Sequence, residues 1–235
     1  MREHGDRSTL DVLVPTRNRP AELAVTLAGL AGQDHPFDVV VSDQSDGAPS
    51  FASPTGAAML RVLASRGHRV EAGRHLPRRG LAEHRAALLD RSRVRHVLFC
   101  DDVWLEPGTV ARLLEAITAL RCGVVGAAGQ GLSYVDDHRP GELAPFERWP
   151  GRPVPERIEP GTPAWNRWTL HLAANPTHLG RLHVRPGERW VAYKIAWVGG
   201  CVLYDRDSST PSVASGSGRT SPAAIAARTS SSNTG

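Results

Sequence analysis

Short apolar runs that each stop at a polar or charged cluster constrain this chain more than any other feature. Leu10-Asp11-Val12-Leu13-Val14 stops at Pro15-Thr16-Arg17-Asn18, and Phe37-Asp38-Val39-Val40-Val41 stops at Ser42-Asp43-Gln44-Ser45-Asp46-Gly47. His96-Val97-Leu98-Phe99-Cys100 stops at Asp101-Asp102. Runs of this length read as buried strands. Between them, residues 21–30, 57–65, 81–91 and 107–120 carry apolar side chains at helical spacing, the first opened by Arg19-Pro20. Shorter strand candidates are 68–71, 123–127, 191–198 and 201–204. Strands alternating with helices predict an α/β fold, Rossmann-like, with a mostly parallel central sheet and helices on both faces. In such sheets ligands bind beyond the carboxyl ends of the strands, where all three polar clusters fall.

The 235 residues suffice for one full core, and two compact domains would be a squeeze. A net charge of +4 is carried almost entirely by arginine. The arginines are scattered and form no stripe, so the excess reads as an Arg-rich, Lys-poor codon bias more readily than as a taste for anionic ligands such as phosphates, and no nucleic-acid partner is expected. Cys100, Cys122 and Cys201 are odd in number and widely spaced, so neither a structural zinc nor a disulfide framework is expected. The charged first residues run straight into a strand, unlike a signal peptide, and no run of about 18 apolar residues occurs. The expected location is cytoplasmic, or peripheral at a membrane, with no integral membrane segment.

One domain is expected over 1–207. Within it, 129–189 is rich in Pro and Gly, contains Trp149, Trp165 and Trp168, and lacks periodicity; it reads as an irregular excursion over the mouth of the site. Residues 208–235 are Ser, Thr, Pro, Ala and Gly with almost no large apolar side chain, a low-complexity composition that predicts a disordered tail.

The sharpest chemical signal is Asp101-Asp102 at the end of an apolar strand. Adjacent carboxylates can hold Mg²⁺ or Mn²⁺ against a diphosphate, because such hard cations prefer oxygen ligands. The plainer alternative is a capping Asp ahead of the helix near Pro107. Asp43 can accept hydrogen bonds from a base or ribose, or can simply close an Asx-turn in Asp-Gln-Ser-Asp-Gly. Arg79 and Arg85 flank a helix start and could neutralise phosphates, or lie on a solvated helix face. No GxGxxG, GxxxxGK[ST], HExxH or GxSxG motif is present, and His84 and His96 read as core-edge or surface residues rather than ligands.

Taken in order, Asp11-Val-Leu-Val-Pro-Thr-Arg-Asn-Arg-Pro, Val41-Ser-Asp-Gln-Ser, Gly80-Leu-Ala-Glu-His-Arg, Phe99-Cys-Asp-Asp-Val-Trp-Leu-Glu-Pro-Gly and Tyr193-Lys-Ile-Ala-Trp-Val-Gly-Gly-Cys-Val-Leu-Tyr-Asp-Arg resemble the successive signatures of family-2 glycosyltransferases. The resemblance spans roughly residues 10–206. It implies a GT-A fold, a divalent cation, a nucleotide-diphosphate sugar donor, a hydroxyl-bearing acceptor (saccharide, lipid or small molecule) and inversion at the anomeric carbon. It also implies that Pro15, Thr16, Arg17, Asn18, Asp43 and Gln44 line the nucleotide pocket, with Arg79 and Arg85 nearby. Asp102 would be the metal carboxylate, and Asp101 its neighbour on the ribose–phosphate side. Trp197, Gly199 and Gly200 would border the donor sugar and acceptor. Trp165 and Trp168 could stack on sugars, although tryptophans more often pack a core or lid.

Two departures stand against the family pattern. Val103 follows the aspartate pair directly, so either Cys100 stands at the first carboxylate position or the strand end is one residue short. No carboxylate follows Asp207, where the family places an aromatic-rich stretch and the Glu-Asp pair that supplies its general base. With GC-rich codons, residues 223–230 can be encoded so that the neighbouring frame reads Gly-Arg-His-Arg-Gly-Glu-Asp-Val. Residues 213–218 likewise permit Gly-Gly-Phe-Gly-Phe-Trp in that frame. The expectation is therefore a tail translated out of frame; the alternative is a native Ser/Ala tail. Loss of a general base costs about 10²–10⁴ in rate, so weak nucleotide binding with little transfer is expected. Two other readings compete: a non-catalytic sugar-nucleotide-binding remnant, and a nucleotidylyltransferase, for which Pro15-Thr16-Arg17-Asn18 lacks the Gly-rich phosphate loop.

Overall fold

The computed structural model describes residues 9–207 and 223–227. The described residues form two compact units, 9–111 with 203–207 and 112–202 with 223–227, where one domain over 1–207 was expected. Both units are α/β.

In the first unit, β1 (Leu10–Thr16), β2 (Asp38–Asp43), β3 (Val70–Arg74) and β4 (His96–Cys100) are parallel, and the strand order is β3-β2-β1-β4. Leu10, Val12, Leu13 and Val14 of β1 are all buried, which is why this strand reads as a continuous apolar run rather than an alternating one. Leu13 lies opposite Val40 on one side and Phe99 on the other, and joins Leu88, Val97 and Phe99 in the core. Helices α1 (Pro20–Ala31), α2 (Pro54–Ser65) and α3 (Leu81–Arg91) connect these strands. Helix α2 begins three residues before its apolar periodicity because the Ser53 hydroxyl caps it, accepting the Gly56 N–H at 3.1 Å. Strand β2 continues two residues past its apolar run, to Asp43, which pairs in register with Thr16. Chain order and strand order part company at β1: β2 and β3 lie to one side of it and β4 to the other. The carboxyl ends of β1 and β4 therefore flank a topological switch point.

A buried contact between α1 and the segment after β4 shapes that switch point. The Gln33 side-chain amide donates to Gly29 O at 2.9 Å and to Glu106 O at 3.0 Å, and accepts the Val110 N–H at 3.1 Å. Thr26 Oγ1 accepts the Val103 N–H at 3.2 Å. At Gly29 the backbones approach so closely that a Cβ would overlap the Leu105 nitrogen and stand 3.1 Å from the Trp104 ring. Thr26 and Gly29 of α1 and Gln33, two residues past its end, thus grip residues 103–110.

Helix α4 (Thr109–Leu120) begins in the first unit and continues into the second. It starts after Pro107-Gly108 rather than at it, since Gly108 takes a turn conformation with φ 75°. The second unit contains β5 (Val124–Ala127), α5 (Pro140–Leu143), α6 (Pro176–His183) and β6 (Trp190–Lys194), with short 3-10 turns at Leu132–Tyr134 and Trp165–His171. The strand expected over 191–198 ends at Lys194, because residues beyond it leave the ladder. The excursion over 129–189 is better ordered than its composition suggests. Leu170, Leu179, Val184, Val191, Tyr193 and Ile195 form a core with Leu143 and Phe146 packed against it. Trp149 is buried, whereas Trp165 and Trp168 are partly exposed. Arg167 is buried between Glu156 at 2.6 Å and Glu147 at 2.8 Å, so its charge is paired on both sides.

Cys201–Asp205 forms β7, whose last residues return to the first unit beside β4. The expectation of a disordered tail does not hold for Ala223–Ala227. These form β8, parallel to β5 and antiparallel to β6, and ladder pairing on both sides overrides a sequence with little intrinsic strand preference. The other residues of 208–235, and the reading frame of the tail, lie outside the described residues. Among the described residues all three cysteines are buried, and no helix is long and apolar enough to cross a membrane.

Two substitutions test the α1 grip. Gln33→Leu strands the Val110 N–H, which its side chain accepts, and should cost about 1–3 kcal/mol in urea unfolding. Gly29→Ala forces the backbones apart and should cost a similar ~1–3 kcal/mol. Wild-type midpoints for both would show that the contact is dispensable.

Candidate functional site at the carboxyl ends of β1, β2 and β4

The site is built on one buried carboxylate. Asp43 ends β2 with no exposure, and both of its oxygens are engaged: Oδ1 accepts the Ser45 N–H at 2.5 Å and Oδ2 the Ser50 N–H at 2.6 Å. The first of these is the Asx-turn that the sequence allows, and the second folds residues 44–50 back over the strand end. The two serines then carry the β1–α1 loop. Ser45 Oγ accepts the Asn18 N–H at 2.8 Å, Ser50 Oγ accepts the Arg19 N–H at 3.2 Å, and the hydroxyls lie 3.0 Å apart. Asn18 adopts φ 54° there, and its side chain exchanges hydrogen bonds with Asp46, 2.7 Å to Oδ2 and 3.0 Å from the Asp46 N–H. Asn is among the few side chains that tolerate this left-handed conformation.

Gln44 is buried between two strand ends. Its N–H donates to Thr16 O at 2.9 Å, and its side-chain amide, oriented to satisfy both partners, donates to Arg79 O at 2.9 Å and accepts the Arg79 N–H at 3.2 Å. Arg79 thus enters the site through its backbone, and its place ahead of α3 is set by Gln44. Arg74 adds a further tie, donating to Ser45 O at 2.7 Å.

Around this frame arginines meet aspartates in pairs. Arg17 pairs with Asp46 at 2.9 Å, and Asn18 followed by Arg17 hold that exposed carboxyl below its usual range. Arg85, on the first turns of α3, donates to Asp101 Oδ2 at 2.6 Å and lies 5.6 Å from the Phe99 ring centroid. Burial raises the Asp101 carboxyl and Arg85 opposes that rise. Arg19 pairs with Asp102, whose backbone takes φ 55° directly after β4. Tyr204 of β7 stands edge-on to Phe99 at 5.9 Å; burial pushes its phenol up, with Arg85 pulling it down.

The expected residues Pro15, Thr16, Arg17, Asn18, Asp43, Gln44, Arg79, Arg85, Asp101 and Asp102 are therefore brought together in the first unit. Thr16 Oγ1, Arg17 Nε, Arg85 Nε and Asp101 Oδ1 are all buried without a hydrogen-bond partner, so capacity for further polar contact concentrates at this edge. Asp43 is the exception in manner. It is a loop anchor, and any ligand contact would have to share oxygens that already accept backbone N–H groups. Trp197, Gly199 and Gly200 belong to the second unit, where the half-exposed Trp197 ring lies 5.0 Å from His171 and Gly200 takes φ 78°. Arg19, Ser45, Ser50 and Tyr204 were not singled out from sequence. Arg19 had a signal, as the third basic or polar residue after Thr16 and the last before the helix. Among the described residues no group of three or more His, Cys, Asp and Glu side chains gathers for a metal, so the carboxylate pair alone would have to be completed by ligand and water oxygens.

Residues 11–170 match the sequence pattern of glycosyl transferase family 2. The chain belongs to that family. No curated protein sequence is significantly similar to this family-2 chain. Among solved structures, it is similar to the mannosyltransferase PcManGT from Pyrobaculum calidifontis in complex with GDP-Man and Mn²⁺, with 21% identity, a TM-score of 0.42, and coverage of 54% of this chain and 37% of that one. A second is S. aureus TarS 1–349, with 21% identity, a TM-score of 0.43, and coverage of 55% and 37%. A third is glucosyl-3-phosphoglycerate synthase from Mycobacterium tuberculosis in complex with Mn²⁺, UDP and phosphoglyceric acid, with 17% identity, a TM-score of 0.42, and coverage of 85% and 56%. The chain thus spans well under two thirds of each of these proteins.

His84 gives the site a pH dependence. It is a buried residue of α3, with Nε2 2.7 Å from Ser42 Oγ and its ring 5.2 Å from that of His75. Burial first, then His75, pushes the His84 imidazole down to about 4, against 6.5 when free, while Asp43 opposes. The unfolded chain then binds more protons between those values, so this contribution to stability is complete above pH 6.5 and is lost as pH falls toward about 4. His96, His171 and His183 are shifted the same way by burial. His84→Gln should therefore flatten, without abolishing, the acid limb of thermal stability measured from pH 7.5 to 4.5. An unchanged slope would remove His84 from the account.

Proposed function

We propose that this family-2 glycosyltransferase domain moves a sugar from a nucleoside-diphosphate donor to a hydroxyl acceptor, with inversion and with the help of Mg²⁺ or Mn²⁺. The observation that carries the reading is the convergence of Arg85 and Arg19 on the adjacent carboxylates Asp101 and Asp102, at a switch point where α/β sheets bind their ligands. A diphosphate needs guanidinium groups and a cation needs carboxylates, and here both are within contact of each other.

The residues fit a hard cation. Asp101 Oδ1 is buried without a partner, Asp102 is partly exposed, and both offer the oxygen atoms such ions take, with phosphate and water oxygens completing the shell. When bound, the cation would stabilise the negative charge that grows on the departing diphosphate. The chain's own groups do the rest. Arg85, held at Asp101, and Arg17, at the rim, face the phosphates; Asp43 and Gln44 keep the strand-end loops in place around the base and ribose. Trp197, Gly199 and Gly200 are assigned to the donor sugar and acceptor.

A second reading is a sugar-nucleotide-binding protein without transfer. It is favoured by the absence of any Asp or Glu in residues 208–235, since inversion requires a group that takes the acceptor proton.

Calorimetry with UDP and GDP, with and without Mn²⁺, tests the shared part of both readings. At least one nucleotide should bind, and Mn²⁺ should tighten it. Asp102→Asn should remove that enhancement, and Arg85→Ala should weaken binding about tenfold or more, the loss of a charged hydrogen bond worth roughly 1.5–3 kcal/mol. Failure of the folded chain to bind any nucleoside diphosphate overturns the proposal. Release of nucleotide coupled to a glycosylated acceptor separates the transferase from the binder.

A further inference from the structure

We infer that Arg19 is an exchangeable counter-ion for Asp102: it neutralises the carboxylate in the free protein and passes to the donor's diphosphate when Asp102 takes a divalent cation. The inference rests on the nucleotide-sugar reading above and adds to it a residue and an order of partner exchange.

The two arginine–aspartate pairs at the site are not equivalent. Arg85 and Asp101 are mostly covered, with side chains 28% and 19% exposed, and Phe99 and Tyr204 pack beside them. Arg19 and Asp102 are 56% and 35% exposed. The first pair is built in, whereas the second can open into solvent at little cost.

Their backbones, by contrast, are both pinned. The Arg19 N–H donates to Ser50 Oγ at 3.2 Å, and its carbonyl accepts the Leu23 N–H at 3.0 Å as the first turn of α1. Asp102 sits at φ 55° between β4 and Val103, whose N–H is held by Thr26 at 3.2 Å. Only the side chains are free to change partners, and the Arg19 guanidinium stays within reach of whatever Asp102 holds. A guanidinium and a divalent cation cannot both sit against one carboxylate without strong mutual repulsion. Once displaced, the planar fork of Arg19 matches phosphate oxygens in two directions, as an ammonium would not.

The consequence is a reciprocal coupling. Arg19 lowers the affinity of the free protein for the cation, and the diphosphate, by drawing Arg19 away, restores it; the cation must raise the affinity for the diphosphate by the same factor. Asp102 is thereby kept neutralised until donor and cation arrive together.

The experiment uses the whole 235-residue chain and its Arg19→Gln and Arg19→Lys variants. Free Mn²⁺ is followed by its paramagnetic resonance signal in the absence of nucleotide. The affinity for UDP or GDP, whichever the wild type binds more tightly, is measured without Mn²⁺. Arg19→Gln should bind Mn²⁺ alone about two- to five-fold more tightly, the size expected of a half-exposed ion pair, and should bind the nucleotide alone more weakly by a similar factor. These opposite signs are not what a general loosening of the fold would give. Arg19→Lys should lie between, keeping the charge and losing the fork. Mn²⁺ affinity that is unchanged or weaker in both variants, with wild-type binding measurable, overturns the inference and leaves the nucleotide-sugar reading standing. If neither wild type nor variants take Mn²⁺, with or without UDP and GDP, the parent reading falls and this one with it.

Discussion

The buried carboxylate of Asp43 is the interaction on which the site depends. Its oxygens fold residues 44–50 by accepting two backbone N–H groups, and the serines so placed reach across to Asn18 and Arg19 at the end of the neighbouring strand. Hydrogen bonds to a charged group contribute about 1.5–3 kcal/mol each, roughly twice what neutral ones do. A chain of weak serine contacts therefore hangs from two strong ones. Take Asp43 away and the β1–α1 loop loses support together with the β2 loop, because Asn18, at φ 54°, is held there by Ser45 and Asp46 of that loop.

The other side of the site has its own support. Thr26, Gly29 and Gln33 hold residues 103–106 against α1, and those residues are the continuation of Asp101-Asp102. Helix α1 is thus fixed at both ends to site loops: at its start through Arg19 and Ser50, at its finish through Gln33 and Glu106. The carboxylate pair and the arginine that faces it are referred to the same rigid helix. Side chains mounted on a common element hold their separation through fluctuations that would pull apart side chains mounted on separate loops.

Much of this was legible in the sequence, and the reason is burial. A strand covered on both faces reads as an unbroken apolar run, so 96–100 and the helix over 81–91 emerged with the boundaries they have in the structure. The polar clusters at strand ends marked the site for the same reason, being abrupt breaks in apolar runs. What could not be read was long-range partnership. Arg19 and Asp102 are 83 residues apart and Gln33 and Glu106 are 73 apart, and nothing local says that the members of either pair meet. Asp43 was legible as part of the strand-end cluster but not as its loop anchor, since an Asx-turn and a ligand contact ask for the same side chain at the same place. The excursion over 129–189 defeated periodicity because its helices run to at most eight residues and are joined by polar staples such as Arg167 between Glu147 and Glu156 and Asn175 donating to Glu142 at 2.9 Å. Strand β8 defeated it too, since five residues of Ala and Ile become a strand only through the ladders on either side.

The charge arrangement explains why arginine rather than lysine serves here. Arg17, Arg19 and Arg85 each already face an aspartate, so the free site carries paired charges, and at the mostly covered Arg85–Asp101 pair neither ion is left unmatched. A ligand entering such a site cannot simply add its charges; it must trade partners with those present. Trading favours a ligand that brings both signs at once, an anion for the guanidiniums and a cation for the carboxylates. A bare anion or a bare cation leaves one half of each broken pair unmatched. Arginine suits the exchange because its fork can hold a carboxylate and then a phosphate with the same geometry. On the proposed reading, selectivity for a metal–diphosphate over either component alone would follow from the pairing itself, before any contact with base, sugar or acceptor is considered.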